Sequence, residues 1–407
     1  MLRKFLPATF LIVSLSLSAQ YKNDNILYKT VDPSDLCVTL LKNKGYVLLD
    51  VRSKGEYADT SAFGINMGHL KEAVNINVRE LGNRLSEIKD YKNQPVFVYC
   101  SHSQRSRRAS KMLADSGYTN IYNINGGMTA IYYTNAKEKE CFQSLLVSNN
   151  KYKIISPADI CTKLSGKVNN IFLLDVRSDS AFRHISSSAK ENAYGYIKGT
   201  INIPLAELLN KLNTISKDKE IIITDLYGHD AAEAAEMLRE HGFKNVSVLI
   251  EGIDRWLDID ENELSCKNNL YVSPVTYHLL NAEELERFAN TNKTMLMLDV
   301  RTTNEFTNKA KDSWRNIGHI KDAVNIPAAD ISGRIGELEN YKNRDIVVYA
   351  FSNSPEMYTA ASTLVQQGFT KVHVLVGGLF NIRWTAANVK GKSALKDFVT
   401  DVPEINW

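Results

Sequence analysis

Short, wholly apolar runs punctuate this chain, and between them apolar residues recur at helical spacing. In the first third the pattern predicts a helix over Ser34–Leu41, a strand over Tyr46–Asp50 and a second short strand over Ala73–Ile76. It continues with a helix from Val78 to Ile88, a strand over Pro95–Tyr99, a helix over Arg105–Asp115 and a last strand over Ile121–Ile124. Strands that are apolar throughout, rather than alternating, are buried on both faces. The pattern therefore predicts an α/β fold whose parallel β-sheet is covered by helices on both faces. Ligands in such sheets bind beyond the carboxyl ends of the strands, where loops lead into helices.

The same pattern recurs twice more. Leu48-Leu49-Asp50-Val51-Arg52 returns as Leu173–Arg177 and Met297–Arg301, so that Asp50, Asp175 and Asp299 stand 125 and 124 residues apart. Gly68–Ile76 returns as Gly195–Ile203 and Gly318–Ile326. The strand–loop–helix beginning at Val96 returns at Ile221 and Ile346, and each unit closes on a glycine-bearing turn at Gly127, Gly252 or Gly378. Four motifs in one order, three times over, define three copies of one domain. Their expected limits are 20–146, 147–269 and 270–407.

Composition narrows the function classes. Hydrophobic residues make up 44% and charged residues 23%, an ordinary globular balance. The formal charge is +3, and loss of Arg3 and Lys4 with a leader brings the chain close to neutral, which gives no expectation of a nucleic-acid partner. Residues 1–19 carry two basic residues, an apolar run from Phe5 and small residues to Ala19, the plan of a secretory signal peptide. An exported protein, periplasmic or extracellular, without a membrane span after cleavage, is expected.

The motifs and their order resemble the rhodanese-like domain family. The residues that carry the likeness are Asp50-Val51-Arg52 with Glu56, Gly68-His69 leading to Ala73 and Asn75, the loop Cys100–Ser106, and Gly126-Gly127. The resemblance spans the chain beyond the leader as three tandem domains.

Cys100 stands directly after a strand and before a helix, where free backbone amides and the positive end of the helix dipole converge and favour a thiolate. Arg105, with Arg107 and Arg108 behind it, is expected to add positive potential. The resemblance implies that Cys100 is the nucleophile and Arg105 the orienting arginine. Ser101, His102, Ser103, Gln104 and Ser106 would then form the substrate-binding loop. The four residues between Cys100 and Arg105 match the sulfur-transferring members; related phosphatases have one more. The family often has glycine where this chain has Ser103. His102 is expected to point to solvent, with a proton relay as the alternative, and Asp-Val-Arg, kept in all three copies, to serve the fold.

Cys100 aligns with Asp225 and Ala350, and Arg105 with Asp230 and Pro355, so the first repeat alone keeps both residues. A metal site of Asp225, His229 and Asp230 lacks any recognised ligand spacing, and no metal or cofactor is expected. Of the five cysteines, Cys37 and Cys161 share one place in the repeat, and Cys141 and Cys266 share another just after the last helix. The third repeat has neither. This pattern predicts disulfides Cys37–Cys141 and Cys161–Cys266 with Cys100 free; four separate thiols is the alternative.

The expected function is a sulfurtransferase that moves sulfane sulfur from a small-molecule donor, thiosulfate or a persulfide, through a Cys100 persulfide to a thiol acceptor. A thiol reductant protein would be a natural partner. The alternatives are a non-catalytic scaffold of rhodanese folds and a persulfide carrier for one partner.

Overall fold

The computed structural model describes residues 24–62, 65–134, 136–165, 170–388 and 394–402. The expected leader, 1–19, lies outside the described residues. None of the described helices is long and apolar enough to cross a membrane.

Three five-stranded parallel sheets follow one another. In the first, the strands stand in the order Lys29–Val31, Ile121–Ile124, Val96–Tyr99, Val47–Asp50, Val74–Asn75. The second and third sheets repeat this order. Alternate residues of the central strands serve opposite faces. Leu49, Val96 and Val98 pack with Ala109 and Leu113 of the helix Gln104–Asp115. Leu48, Phe97 and Ile124 pack with Leu36 and Leu40 of the helix Pro33–Lys42 on the other face. The continuous apolar pattern of the strands thus follows from burial on both sides.

Local structure departs from the sequence reading in three places. The stretch expected as one helix from Val78 is a single α-turn, Leu81–Arg84, followed by 3₁₀ turns over Leu85–Tyr91 with a break at Ile88. Gly82, Asn83, Ser86 and Asp90 are poor helix formers, and within Leu81–Tyr91 only Leu81 and Ile88 are buried. The short edge strand Lys29–Val31 carries no long apolar run that could announce it. Cys141 lies inside a helix, Ala136–Leu145, rather than after one. It is bonded to Cys37, and Cys266 to Cys161, so each bridge ties the first helix of a repeat to its end across 104 or 105 residues. Cys100 is the free cysteine.

The Asp-Val-Arg motif ties the strand ends to the chain that crosses them. The Asp50 carboxylate accepts from the Arg52 backbone amide at 2.9 Å and from its guanidinium at 2.6–3.1 Å. The guanidinium also donates to the Gly68 carbonyl at 2.6 Å, and Asn75 donates to the carbonyls of Asp50 and Arg52. Asp175–Arg177–Asn202 and Asp299–Arg301–Asn325 repeat the arrangement on the Gly195 and Gly318 carbonyls. Each of these glycines lies against a short antiparallel strand from the end of its repeat. A Cβ on Gly68 or Gly318 would meet the carbonyl oxygen of Val147 or Thr400 at 2.4 or 2.3 Å. Glycine is required there.

The repeats are joined through packing. The faces of the second and third sheets that look toward each other share one apolar core, in which Leu173, Ile222 and Trp256 are continuous with Leu298, Val348 and Leu364. Ile250 of the second repeat enters the core of the first.

Replacing Arg301 by Leu should lower the stability of the third repeat by about 3–5 kcal/mol, because it strands a fully buried Asp299 carboxylate. Adding Asp299→Leu should recover part of that loss. Urea unfolding followed by hydrogen exchange of the strand Ile346–Tyr349 measures both.

Candidate functional site

The central strand Val96–Tyr99 delivers Cys100 to the carboxyl end of the first sheet, and the helix Gln104–Asp115 leads away from it. Cys100 is buried, 1% exposed, at the floor of the loop. Its Sγ lies 3.7 Å from the Ser106 hydroxyl, which in turn donates to Asn123 Oδ1 at 2.6 Å. Gly127 closes the site from below: a Cβ there would sit 2.3 Å from the Cys100 carbonyl, and the turn runs at φ +60°. Met128 and Thr129 donate their amides to the carbonyls of Cys100 and Ser101.

Ser103 adopts φ +74°, the left-handed conformation, which costs a residue with a Cβ on the order of 1 kcal/mol. The second repeat has Gly228 at this place, at φ +90°. The buried Ser103 hydroxyl offsets the strain: it donates to the Ile124 carbonyl at 3.1 Å and accepts from the Gly126 amide at 2.5 Å. The turn therefore forms with serine as it does with glycine. The hydroxyls of Ser103 and Ser106 are engaged within the protein and hold the loop.

Arg105 reaches back to Glu56 as a two-pronged pair, both contacts 2.7 Å, and donates to Ser101 Oγ at 2.9 Å. Burial alone would raise the Glu56 carboxyl; the hydrogen bonds and charge of Arg105, with the Ser53 amide and hydroxyl, outweigh it and hold the group at about 2. Arg105 thus clamps the loop across the site, with about a third of its side chain exposed. The extra positive potential expected of Arg107 is cancelled: its guanidinium is buried on Asp24 at 3.0 Å, beside Asn125 and 5.3 Å from the Trp384 ring of the third repeat. Arg108 and Gln104 are exposed.

His102 is exposed, as expected, yet its ring is also tied across the repeats. It is held at Nε2 by Glu251 Oε1 of the second repeat at 2.5 Å and by Thr129 Oγ1 at 3.1 Å. The sequence reading missed Glu251 and Thr129. One signal was present: Glu251-Gly252 breaks the Gly-Gly pattern of Gly126-Gly127 and Gly377-Gly378.

The equivalent loops show what the cysteine replaces. In the second repeat the buried Asp225 carboxylate accepts from the amides of Gly228, Asp230 and Ala231, the latter two at 2.8 and 3.3 Å. Burial pushes this carboxyl up to about 6 despite those amides. Asp225 serves its own loop, and the described residues contain no cluster of groups suited to a metal. In the third repeat Ala350 offers no anion, and Pro355 at the first turn of the helix Pro355–Gln366 has no amide hydrogen to give. Its Asn353 side chain faces the second repeat, donating to Asp254 at 2.7 Å.

A cavity of about 770 Å³ lies apart from Cys100, between the second and third repeats, beside Tyr271, Tyr277, Arg287 and Phe288.

A family profile described as the rhodanese-like domain matches residues 35–134, 158–259 and 281–384. Similar proteins include a tRNA uridine(34) hydroxylase of Pelagibacter ubique, 32% identical over 131 residues, 31% of this chain and 38% of that protein. They also include the thiosulfate sulfurtransferase GlpE of Actinobacillus pleuropneumoniae, 31% identical over 88 residues, 22% of this chain and 72% of that enzyme. The chain spans 40% or less of the uridine hydroxylases' length in the matches from Buchnera aphidicola and Pelagibacter ubique. Among solved structures, a thiosulfate sulfurtransferase from Pseudomonas aeruginosa aligns over 90% of this chain and 69% of its own, at 16% identity and a TM-score of 0.23. With its three matched segments each enclosing one Asp-Val-Arg strand and one strand–loop–helix corner, the chain belongs to the rhodanese-like domain family, in three tandem copies.

Proposed function

We propose that this protein is a sulfurtransferase whose first repeat carries sulfur as a Cys100 persulfide. The observation that carries the reading is Asp225. An aspartate oxygen stands two bonds beyond Cβ, as does the outer sulfur of a cysteine persulfide, and in the second repeat the amides of Asp230 and Ala231 converge on Oδ2 while that of Gly228 meets Oδ1. The corresponding amides of the first repeat belong to Ser103, Arg105 and Ser106, and there the side chain is a free cysteine. The loop is thus built to hold an anion where a persulfide's outer sulfur would lie.

In the first half-reaction the Cys100 thiolate attacks the outer sulfur of thiosulfate or a small persulfide. The donor's S–S bond breaks and its electron pair leaves with sulfite or a thiolate. In the second, a thiophilic acceptor takes the outer sulfur and returns the electron pair to Sγ. Arg105, fixed by Glu56 and Ser101, keeps the loop in register and presents an exposed cationic edge to an anionic donor. The second and third repeats, one with its loop filled by Asp225 and the other without the amide of Pro355, serve as scaffold. Thiosulfate sulfurtransferase among the similar proteins supports the reaction class. An exported location and a thiol-delivering partner complete the proposal and rest on the sequence.

Thiosulfate treatment should add the mass of one sulfur atom to the peptide containing Cys100, and thiosulfate with cyanide should yield thiocyanate. Cys100→Ala should abolish both; an adduct or turnover that survives it overturns the assignment, and a wild-type protein that forms neither leaves the scaffold reading standing.

Glu56→Gln should slow transfer about tenfold by freeing Arg105 and should cost on the order of 1 kcal/mol of stability at neutral pH, after screening by solvent. Glu56 is held at about 2 in the fold, against about 4.3 unfolded. Its contribution is therefore present above the unfolded value and is lost as pH falls through about 2. Thermal midpoints of wild type and variant should differ at pH 7 and converge as the pH approaches 2; a gap independent of pH contradicts this role.

A further inference from the structure

Glu251 occupies a position built for glycine. The residues opening the corresponding turns in the other repeats are Gly126 at φ +69° and Gly377 at φ +78°, and Glu251 adopts φ +56° in their place. A side chain at such an angle costs on the order of 1 kcal/mol, and strain of this kind persists where something else holds it. What holds it lies in the first repeat. Glu251 Oε1 meets His102 Nε2 at 2.5 Å, and Oε2 accepts from the Tyr133 hydroxyl at 2.9 Å. The Arg255 guanidinium stacks 4.4 Å over the Tyr133 ring, Ile65 presses on Gly228, and Ile250 is buried among first-repeat side chains. The second repeat therefore presents one carboxylate, on a packed joint, to a residue two places from Cys100.

A carboxylate only accepts hydrogen bonds, so Nε2 carries the hydrogen and Nδ1 is left as the basic nitrogen. Burial alone would raise the Glu251 carboxyl; the hydrogen bond and charge of His102, with Arg255 and Tyr133, outweigh it and hold it below the usual range. The ionisable groups arranged around His102 are Glu251 and Arg255 across the joint, Tyr133 on its own side of it, and Arg105 of its own loop with its partner Glu56. Every other loop side chain except the exposed Gln104 is tied within the first repeat, so His102 is the loop's proton-accepting group.

We propose that Glu251 is a positioning residue, supplied by the second repeat, that fixes His102 as the base for a thiol acceptor at the Cys100 persulfide. This rests on the sulfurtransferase reading above. The acceptor's S–H proton passes to Nδ1 as its sulfur attacks the outer sulfur of the persulfide. The Cys100 Sγ–S bond breaks, its electron pair returns to Sγ as a thiolate, and the acceptor leaves as a persulfide anion. The imidazolium, stabilised by the Glu251 carboxylate, then releases the proton to solvent. An acceptor that brings no proton, such as sulfite, makes no use of His102. The joint thereby selects thiols over proton-free acceptors, and it explains why a first repeat with a complete loop is packed against a second repeat that has no cysteine.

The experiment is single-turnover transfer from thiosulfate-loaded full-length protein at pH 8, with glutathione or sulfite as acceptor. Loading is read by mass beforehand. In Glu251→Gln and Glu251→Gly the ratio of the glutathione rate to the sulfite rate should fall 10–100-fold. His102→Asn should give the same fall, and the double variant His102→Asn with Glu251→Gly no further one. The glycine variant takes the residue that the other repeats carry and relieves the turn, so its defect is not one of folding. In ¹⁵N spectra His102 should show the Nε2–H tautomer in the wild type and a mixture in both Glu251 variants. Unchanged ratios in loaded variants, additive losses in the double variant, or a His102 signal indifferent to Glu251 would each overturn the proposal. A wild type that accepts no sulfur at all overturns the underlying function instead.

Discussion

The buried pairing of Asp with Arg two residues later is the interaction on which the three domains depend. A strand in a parallel sheet ends with carbonyls and amides that need partners, and here the next segment must cross the strand ends without burying unpaired groups. The Asp50 carboxylate and Arg52 guanidinium, both without exposure, satisfy each other and reach the Gly68 carbonyl. That fixes where the crossing chain runs, and hence where the neighbouring loop can sit. The pair recurs in all three repeats, with or without a cysteine nearby, which places its role in the fold rather than in the chemistry.

On that common frame the three loops have three fates. The first keeps a cysteine above its amides, clamps itself through Arg105 and Glu56, and maintains a left-handed serine by two hydrogen bonds. The second fills the same amides with Asp225. The third has no residue to place there and turns Asn353 outward into the joint with Tyr194 and Asp254. The second loop thus satisfies its own amides, and the third spends its polar side chain on packing.

The short helix Gly252–Asp258 of the second repeat stands between the other two. The residue just before it, Glu251, reaches the Cys100 loop, and Asp254 and Asp258 meet Asn353 and Asn381 of the third repeat. Trp256, fully buried, anchors it in the core shared with the third sheet. A helix fixed from one side by that core holds its carboxylate steady on the other.

Much of this was legible in the residues themselves. Apolar runs between helical stretches, and motifs recurring every 124 or 125 positions, specify three parallel sheets, because strand burial and repeat register are written in local pattern. Cys100 at a strand–helix corner, and cysteines present or absent in pairs, follow from the same alignment. What sequence could not supply was the partner of each charged side chain. Arg107 reads as an added positive charge until Asp24 is seen beneath it, and exposed His102 gives no sign of its partner Glu251 until the second repeat is placed against it. The kinked turns over Leu85–Tyr91 likewise follow from which side chains find burial. Local pattern fixes elements and repeats because they depend on near neighbours along the chain. The joining of Glu251 to His102 spans 149 residues and two domains, and only tertiary packing decided it.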